Sequence, residues 1–282
     1  MKRTSVSTRV RNAKKPALVL KLGGELLEQP EDLDSIAKAI ARLSQHASLV
    51  VVHGGGREID AALSTAGIPK QQVDGLRVTD ARTLDVVVSV LAGAINTRLV
   101  AAVRRAGASP VGLTGADATV ATMKRAAPIV TVAGEHVDLG LVGAPVRNGA
   151  PRLLADLLAG GYVPIVACIG ATRGGQLLNV NADTLASHLA SALRARRLVI
   201  AGGTSGVLDA QGQTIERLTT RDAARLVKAG TANKGMVAKL QACRAALQAG
   251  VGDVVIADGR KTRLGTLADS STPLTGCTQV VR

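Results

Sequence analysis

Apolar and polar positions along this chain fall into short aliphatic runs, each closed by glycine and followed by an amphipathic stretch. Residues 17–22, Ala-Leu-Val-Leu-Lys-Leu, end in Gly23-Gly24. From Glu31 to His46, Leu33, Ile36, Ala37, Ile40 and Leu43 recur at helical spacing and predict one buried helix face. Residues 49–52 read as a buried strand, followed by His53-Gly-Gly-Gly56 and a helix to about Ala66. Strand, glycine turn and helix, twice over, is the pattern of a parallel sheet covered on both faces.

Residues 80–105, rich in Val, Leu and Ala, predict a long helix. Runs at 110–113, 118–123, 129–132 and 136–142 predict short strands arranged as hairpins beside the main sheet. A helix over 148–160 and a buried strand over 162–169 follow. The second half repeats the rhythm, with helices at 181–193, 219–228 and 235–249 and strands at 197–201, 253–257 and 278–281. Asp209 to Gln213 reads as a turn. The expected fold class is α/β, a three-layer αβα sandwich with a mainly parallel central sheet. It comprises a basic tail over 1–16 and a single domain over 17–282, with no linker or low-complexity stretch dividing it.

Composition narrows this picture. Hydrophobic residues make up 46% of the 282, yet Phe and Trp are absent and Tyr162 is the one tyrosine. The core is therefore aliphatic, and a bound base would rest on aliphatic walls and backbone groups. No apolar run approaches the ~18 residues of a membrane helix, so no membrane partner is expected. The net charge of +14 favours anionic ligands. Nucleic acid is not expected as a partner, because single-strand binders stack bases on aromatic side chains. Six basic residues (Lys2, Arg3, Arg9, Arg11, Lys14, Lys15) crowd the first fifteen positions without an acid or an apolar core segment. That excludes a secretory signal and leaves a basic tail or a short organelle transit sequence. Cys168, Cys243 and Cys277 form no CxxC pair and read as buried thiols in a reducing cytoplasm, so a cytoplasmic location is expected.

Chemistry gathers at the turns. In Lys21-Leu-Gly-Gly24, glycine lets backbone N–H groups approach an anion while the lysine adds a full charge. A surface lysine beside a structural turn fits that motif equally well. In His53-Gly-Gly-Gly56 the triple glycine serves packing or ligand approach, and His53 reads as a hydrogen-bonded structural residue. Neither turn is a Walker A or GxGxxG motif. Arg77, in Asp74-Gly-Leu-Arg77, is of the type that grips a carboxylate in a two-pronged fork. Asn179-Val-Asn-Ala-Asp183 opens a helix, and Lys239 lies one turn into another.

In this order, Lys21-Leu-Gly-Gly24, Val52-His-Gly-Gly-Gly56, Gly75-Leu-Arg-Val-Thr79, Asp138-Leu-Gly-Leu-Val-Gly143, Asn179-Val-Asn-Ala-Asp183 and Gly235-Met-Val-Ala-Lys239 resemble the amino-acid kinase superfamily. Within it, the GLRVT and NVNAD segments are similar to those of the N-acetyl-L-glutamate kinases rather than the carbamate, aspartate or uridylate kinases. The resemblance implies ATP-dependent phosphorylation of the γ-carboxylate of N-acetyl-L-glutamate, the second step of arginine biosynthesis. Mg²⁺ would be carried mainly by the ATP phosphates. It implies an acceptor lobe over about 17–178, a nucleotide lobe over about 179–282, and a homodimer or higher homo-oligomer. Lys21 and Lys239 would straddle the transferring group and Asp183 would hold both lysines by ion pairs. Gly23, Gly24 and Gly54 would bind phosphate, while Gly55, Gly56, Arg77 and Asn179 would bind the acceptor. Gly203, Thr204, Ser205, Gly206, Val207, Leu208, Thr231, Ala232 and Asn233 would line the nucleotide.

Two departures qualify the resemblance. Members of the family end the strand after the Asp183 helix in Thr/Ser-Asp, whereas here Ala201-Gly202-Gly203-Thr204 leaves no acid and Gly203 stands in its place. The C-terminal stretch 263–278 also lacks the His and Glu of arginine-inhibited members, which implies weak or altered arginine feedback. Two rival functions stay open at this point. One is a kinase for an acylated aminoadipate in lysine biosynthesis, whose extra methylene changes selectivity by only ~1–3 kcal/mol. The other is a catalytically weak acylamino-acid-binding protein.

Overall fold

The computed structural model describes residues 15–131, 134–147, 149–228, 234–268 and 274–282. The basic tail therefore lies outside the described residues, save Lys15 and Pro16. The aliphatic runs form the eight strands of one sheet: β1 (Ala17–Leu22), β2 (Ser48–His53), β3 (Pro110–Thr114), β4 (Val163–Ala167), β5 (Arg197–Gly202), β6 (Arg217–Thr219), β7 (Asp253–Asp258) and β8 (Cys277–Val281). Their order is β6-β8-β7-β5-β1-β2-β4-β3. Every pairing is parallel except β7 with β8. Buried on both faces, β1, β2, β5 and β7 read as continuous apolar runs, as central parallel strands should.

Strand β1 decides where a ligand can sit. The chain leaves β1 for β2 on one side and returns to β5 on the other, so strand order reverses at β1. In open parallel sheets this reversal opens a crevice beyond the carboxyl ends of the strands. Three glycine turns lie at that edge: Gly23-Gly24 after β1, Gly54 to Gly56 after β2 and Gly202-Gly203 at the end of β5. The register places Leu22 beside His53 on one side and Ala201 on the other. Strands from residues 17–167 and from 197–281 thus fill opposite halves of the sheet and meet at β1 and β5. Arg197, at the start of β5, ties β5 to β7 through a two-pronged contact with Asp253 at 2.8 and 2.7 Å.

Helices α1 (Pro30–His46), α2 (Gly56–Thr65), α3 (Ala81–Arg105), α4 (Arg152–Ala159), α5 (Ala182–Ala192), α6 (Thr220–Lys228) and α7 (Lys234–Gln248) flank the sheet. Proline in the first turn of α1, with Glu31 and Asp32 against the positive end of the helix dipole, sets its start. The face it buries is the one read from spacing, Leu33, Ile36, Ala37, Ile40 and Leu43. Asp80 caps α3 by accepting from Thr83 N–H at 2.7 Å. The middle of α3, Ser89–Ile95, is wound as a π-helix, a local insertion of the kind that often marks functional sites. By length and composition α3 is apolar enough to cross a membrane, which the count of uninterrupted apolar residues did not reveal. Its Leu84, Val87, Leu91, Ile95, Leu99 and Val103 belong to the buried core.

Four segments differ from the sequence expectation. Residues 118–122 are not a strand: Asp117 accepts from Thr114 N–H and Oγ1 at 2.6 and 2.9 Å and draws the chain into a short 3₁₀ turn. The neighbouring strand Met123–Arg125 pairs instead with Gly143–Pro145. In the run over 136–142 only His136–Val137 forms a strand, paired with Ile129–Val130, while Gly140 and Val142 make single bridges to Thr79 and Asn179. Helix α4 begins at Arg152 rather than 148, entered through Pro151. The expected strand over 162–169 divides at Cys168, beyond which Ile169–Ala171 turns away to pair with Leu177–Asn179.

Candidate active site

At the reversal point two glycine turns touch. A Cβ on Gly24 would lie 2.7 Å from Gly55 Cα, and one on Gly55 would lie 2.2 Å from Ile95 Cδ1 in the π-helical part of α3. Nothing would meet a Cβ on Gly56. Gly24→Ala is therefore expected to cost ~1–3 kcal/mol in urea unfolding, because backbone rather than a side-chain tip must yield. Gly56→Ala, at the start of α2, is expected to leave stability unchanged or slightly raised.

The amides divide into two groups. Gly23 N–H donates to Ala201 O at 2.9 Å and Gly54 N–H to Leu22 O at 3.2 Å, so both extend the sheet rather than face a ligand. Gly24 opens a short 3₁₀ turn, Gly55 caps α2 and Gly56 is its first residue. Such positions carry N–H groups without partners inside the helix and form an anion site.

Lys21 lies one residue before the end of β1 and meets Asp183 in the first turn of α5, with Nζ 2.9 Å from Oδ1. Asn181 caps that helix by accepting from Thr184 N–H at 3.0 Å, and the helix dipole favours a carboxylate there. The contact is an ion pair off the ideal hydrogen-bond direction, since Oδ1 finds no well-directed donor among the described residues. Burial pulls the Lys21 pKa down, but Asp183, with Glu25 beyond it, more than offsets this and holds the ammonium above its ordinary value. Lys21 is thus charged at any physiological pH.

Lys239, on α7, lines the same cleft of ≈ 430 Å³. It makes no ion pair with Asp183 among the described residues, so the expectation that Asp183 holds both lysines is met for Lys21 alone. The helix backbone, rather than an acid, places Lys239. Arg77 reaches the cleft from the hairpin formed by Gln72–Val73 and Leu76–Arg77. Its Nη2 donates to Asp60 Oδ1 at 2.5 Å and to Gly56 O at 3.2 Å, while Nη1 is buried without a partner among the described residues. Asn179 also lines the cleft, and its amide donates to Thr79 Oγ1 at 3.1 Å. Thr79 in turn bridges to Gly140 and Asn179 N–H donates to Leu141 O, so three segments distant in sequence are stitched together behind the acceptor side.

His53 is wholly buried beneath this surface. Nδ1 faces Gly54 O at 3.2 Å and Nε2 faces the Asn96 amide at 3.1 Å. Burial, slightly opposed by the Gly54 carbonyl and helped by Arg98, lowers its pKa from 6.5 to about 4. It is a neutral structural histidine, as expected, and serves as no base. The unfolded chain takes up its proton near pH 6.5 while the folded one does not, so stability falls as pH drops through that window. Between pH 7.5 and 5 the loss should be about 2 kcal/mol. Urea melts at the two pH values should show a loss smaller by this amount in His53→Gln than in the native protein, the remainder including half-buried His188, whose pKa desolvation also lowers.

On the expected nucleotide side, residues 203–208 leave the end of β5. Val207 N–H donates to Thr278 Oγ1 at 2.8 Å, Thr214 Oγ1 donates to Ser205 Oγ at 3.1 Å, and Leu208 is 47% exposed. Gly206 sits at φ 140° with Thr278 against it. Thr204 continues the same turn, and Thr231, Ala232 and Asn233 lie outside the described residues. Three features were not read from sequence: Asp60 as the partner of Arg77, Cys168 beneath Lys21, and Glu25, whose carboxylate accepts from Gly203 N–H at 3.0 Å. Only Glu25, adjoining the lysine-glycine turn, carried a local signal. A larger groove of ≈ 1280 Å³ runs between α5 and α7 beside the hairpin near Ile129 and contains none of Lys21, Arg77, Asn179, Asp183, Lys239 or the glycine turns. The smaller cleft is the chemically credible one, because the cations and turn amides converge there.

Comparison with known proteins identifies the family. The chain is 43% identical over 241 residues to the acetylglutamate kinase of Methanopyrus kandleri, covering 84% of this chain and 93% of that protein. It is 38% identical over 248 residues to the acetylglutamate kinase of Bradyrhizobium diazoefficiens, covering 86% and 84%. Among solved structures, the N-acetylglutamate synthase of Neisseria gonorrhoeae, complexed with coenzyme A and N-acetyl-glutamate, superimposes with a TM-score of 0.79 at 25% identity. That match covers 95% of this chain but only 60% of the synthase chain. The model of the amino acid kinase family matches residues 16–258. A glycine-lined crevice at the reversal of a parallel sheet, with its buried lysine–aspartate pair, is thus built on the family's own stretch of sequence, and the chain belongs to the amino acid kinase family.

Proposed function

We propose that this protein is an acetylglutamate kinase, transferring the γ-phosphoryl group of ATP to the γ-carboxylate of N-acetyl-L-glutamate in arginine biosynthesis. Acetylglutamate kinases about 40% identical over most of the chain support the activity. The observation that carries the residue assignment is the cleft itself. A charged, buried Lys21, the glycine turns at Gly24, Gly55 and Gly56, and Arg77 line one space together with Lys239.

A carboxylate oxygen of the acceptor attacks the γ-phosphorus, the P–O bond to the bridging oxygen breaks, and ADP leaves. The nucleophile is already ionised, so no base is needed and a neutral His53 is no obstacle. What limits the reaction is bringing two anions together and accommodating charge on the transferring group, which cations and N–H donors supply. In this reading Lys21 and Lys239 flank the phosphoryl oxygens and Gly24 N–H donates to them. The Arg77 guanidinium, which lines the cleft, meets the α-carboxylate. The Asn179 side chain meets the acetylamino end. ATP arrives as its Mg²⁺ complex, with residues 203–208 along the nucleotide. The protein works in the cytoplasm as a homo-oligomer. The test is hydroxylamine trapping of the acyl phosphate from MgATP and acetylglutamate, with acetylaminoadipate as comparison. Hydroxamate from acetylglutamate supports the assignment, and equal or greater yield from acetylaminoadipate overturns it.

A further inference from the structure

The carboxylate of Glu25 occupies an unusual position. It folds over the lysine-glycine turn so that a Cβ on Gly23 would fall 2.4 Å from Oε2. A Cβ on Gly202 would fall 3.1 Å from Oε1, and one on Gly203 3.8 Å from it. Three glycine faces, two of them 177 or more residues away in sequence, make a cradle for this carboxylate, with Arg260 Nη1 also 3.7 Å from a Cβ on Gly203. Gly203 N–H donates to Oε1 at 3.0 Å, while Oε2 accepts no hydrogen bond among the described residues. Arg260 braces the Glu25 backbone carbonyl at 2.6 Å and is itself held by Asp32 at 2.7 Å. The carboxylate therefore projects from a fixed main chain into the cleft that holds Lys21 and Lys239.

A second acid beside Lys21 works against a bare polyphosphate. Asp183 already balances Lys21, so Glu25 adds a negative charge where a tri-anionic or tetra-anionic group must enter. A hard divalent cation reverses the sign of that interaction, and a carboxylate oxygen is a ligand type it accepts. Among the described residues no group of three or more His, Cys, Asp or Glu could cage a metal, so the cation has to arrive on the phosphates.

We propose that Glu25 is the specificity-determining acid that makes the site take the Mg²⁺-complexed nucleotide and reject the free one. It supplies, from the β1 turn, the carboxylate that Gly203 lacks. This rests on the kinase reading of the cleft. The test is equilibrium binding of ADP by calorimetry, with excess Mg²⁺ and with EDTA. In the native protein Mg²⁺ should tighten binding strongly. In Glu25→Gln, whose amide oxygen can still accept from Gly203 N–H, the advantage should shrink about tenfold, mostly through tighter binding of free ADP. Adding Gly203→Asp to Glu25→Gln should restore the advantage, because the new side chain starts 3.8 Å from the same oxygen position. If Glu25→Gln does not fold, Gly203→Asp alone should widen the Mg²⁺ advantage beyond native. An unchanged ratio in whichever of these single variants folds overturns the role of Glu25. Native protein that binds ADP under neither condition overturns the nucleotide reading of the cleft instead, and the Glu25 role with it.

Discussion

Lys239→Ala is expected to lower kcat by about 10²–10³-fold while leaving the urea midpoint unchanged, because a preorganised donor to a developing charge is removed without stranding a partner. The structural reason is the absence of an ion pair between Lys239 and Asp183. Held by α7 alone and only half-buried, Lys239 can be truncated without leaving a counter-charge in the core. A donor realised mainly in the transition state should lower kcat and kcat/KM together. A rise in KM for ATP with kcat unchanged would instead mark Lys239 as a ground-state phosphate ligand.

Asp183→Ala is expected to behave in the opposite way, failing in stability first. Lys21 and Asp183 are each about nine-tenths buried in their side chains, at 9% and 10% exposure. Removing one member of such a pair leaves the other desolvated and unbalanced, a loss of about 3–5 kcal/mol. The protonation of Lys21 also changes. With Asp183 present its pKa lies above 10.5, so the pair's contribution is complete below that value and is lost only as pH rises through the raised one. Without Asp183, burial dominates and pulls the Lys21 pKa below its ordinary value. Residual activity of Asp183→Ala should therefore fall as pH rises through a range where native activity is flat. Urea melts at neutral pH and a pH–rate profile check the two halves separately. A fully stable Asp183→Ala with a native pH profile would show that Lys21 does not depend on this carboxylate.

The sheet was legible in the sequence because central parallel strands are buried on both faces and so read as unbroken aliphatic runs. That held for β1, β2, β5 and β7, and for the apolar face of α1. It failed where short-range side-chain bonding competes with periodicity, as when Asp117 turns residues 118–122 away from a strand. The π-helical turn in α3 was hidden because its residues have the same apolar character as an α-helix. At the site, the motif residues Lys21, Gly24, Gly55, Arg77, Asn179 and Lys239 come to one cleft, but their pairings are set by the fold. Nothing local links Arg77 to Asp60, and nothing local predicts that Gly23 and Gly54 lose their amides to the sheet. The missing acid at position 203 looked like a loss when read along one strand. In space, a carboxylate from 178 residues earlier lies against that same glycine.

The central claim is that Lys21, Lys239 and Arg77 act on one acceptor and one phosphoryl group in the cleft between Gly24 and Gly55. The most direct measurement is acyl-phosphate trapping with hydroxylamine, using acetylglutamate and MgATP, in the native protein, Lys239→Ala and Arg77→Lys. Hydroxamate is expected from the native protein, with near-complete loss in Lys239→Ala and a raised KM for acetylglutamate but not for ATP in Arg77→Lys. Undiminished turnover in Lys239→Ala, or a KM change confined to ATP in Arg77→Lys, would contradict it.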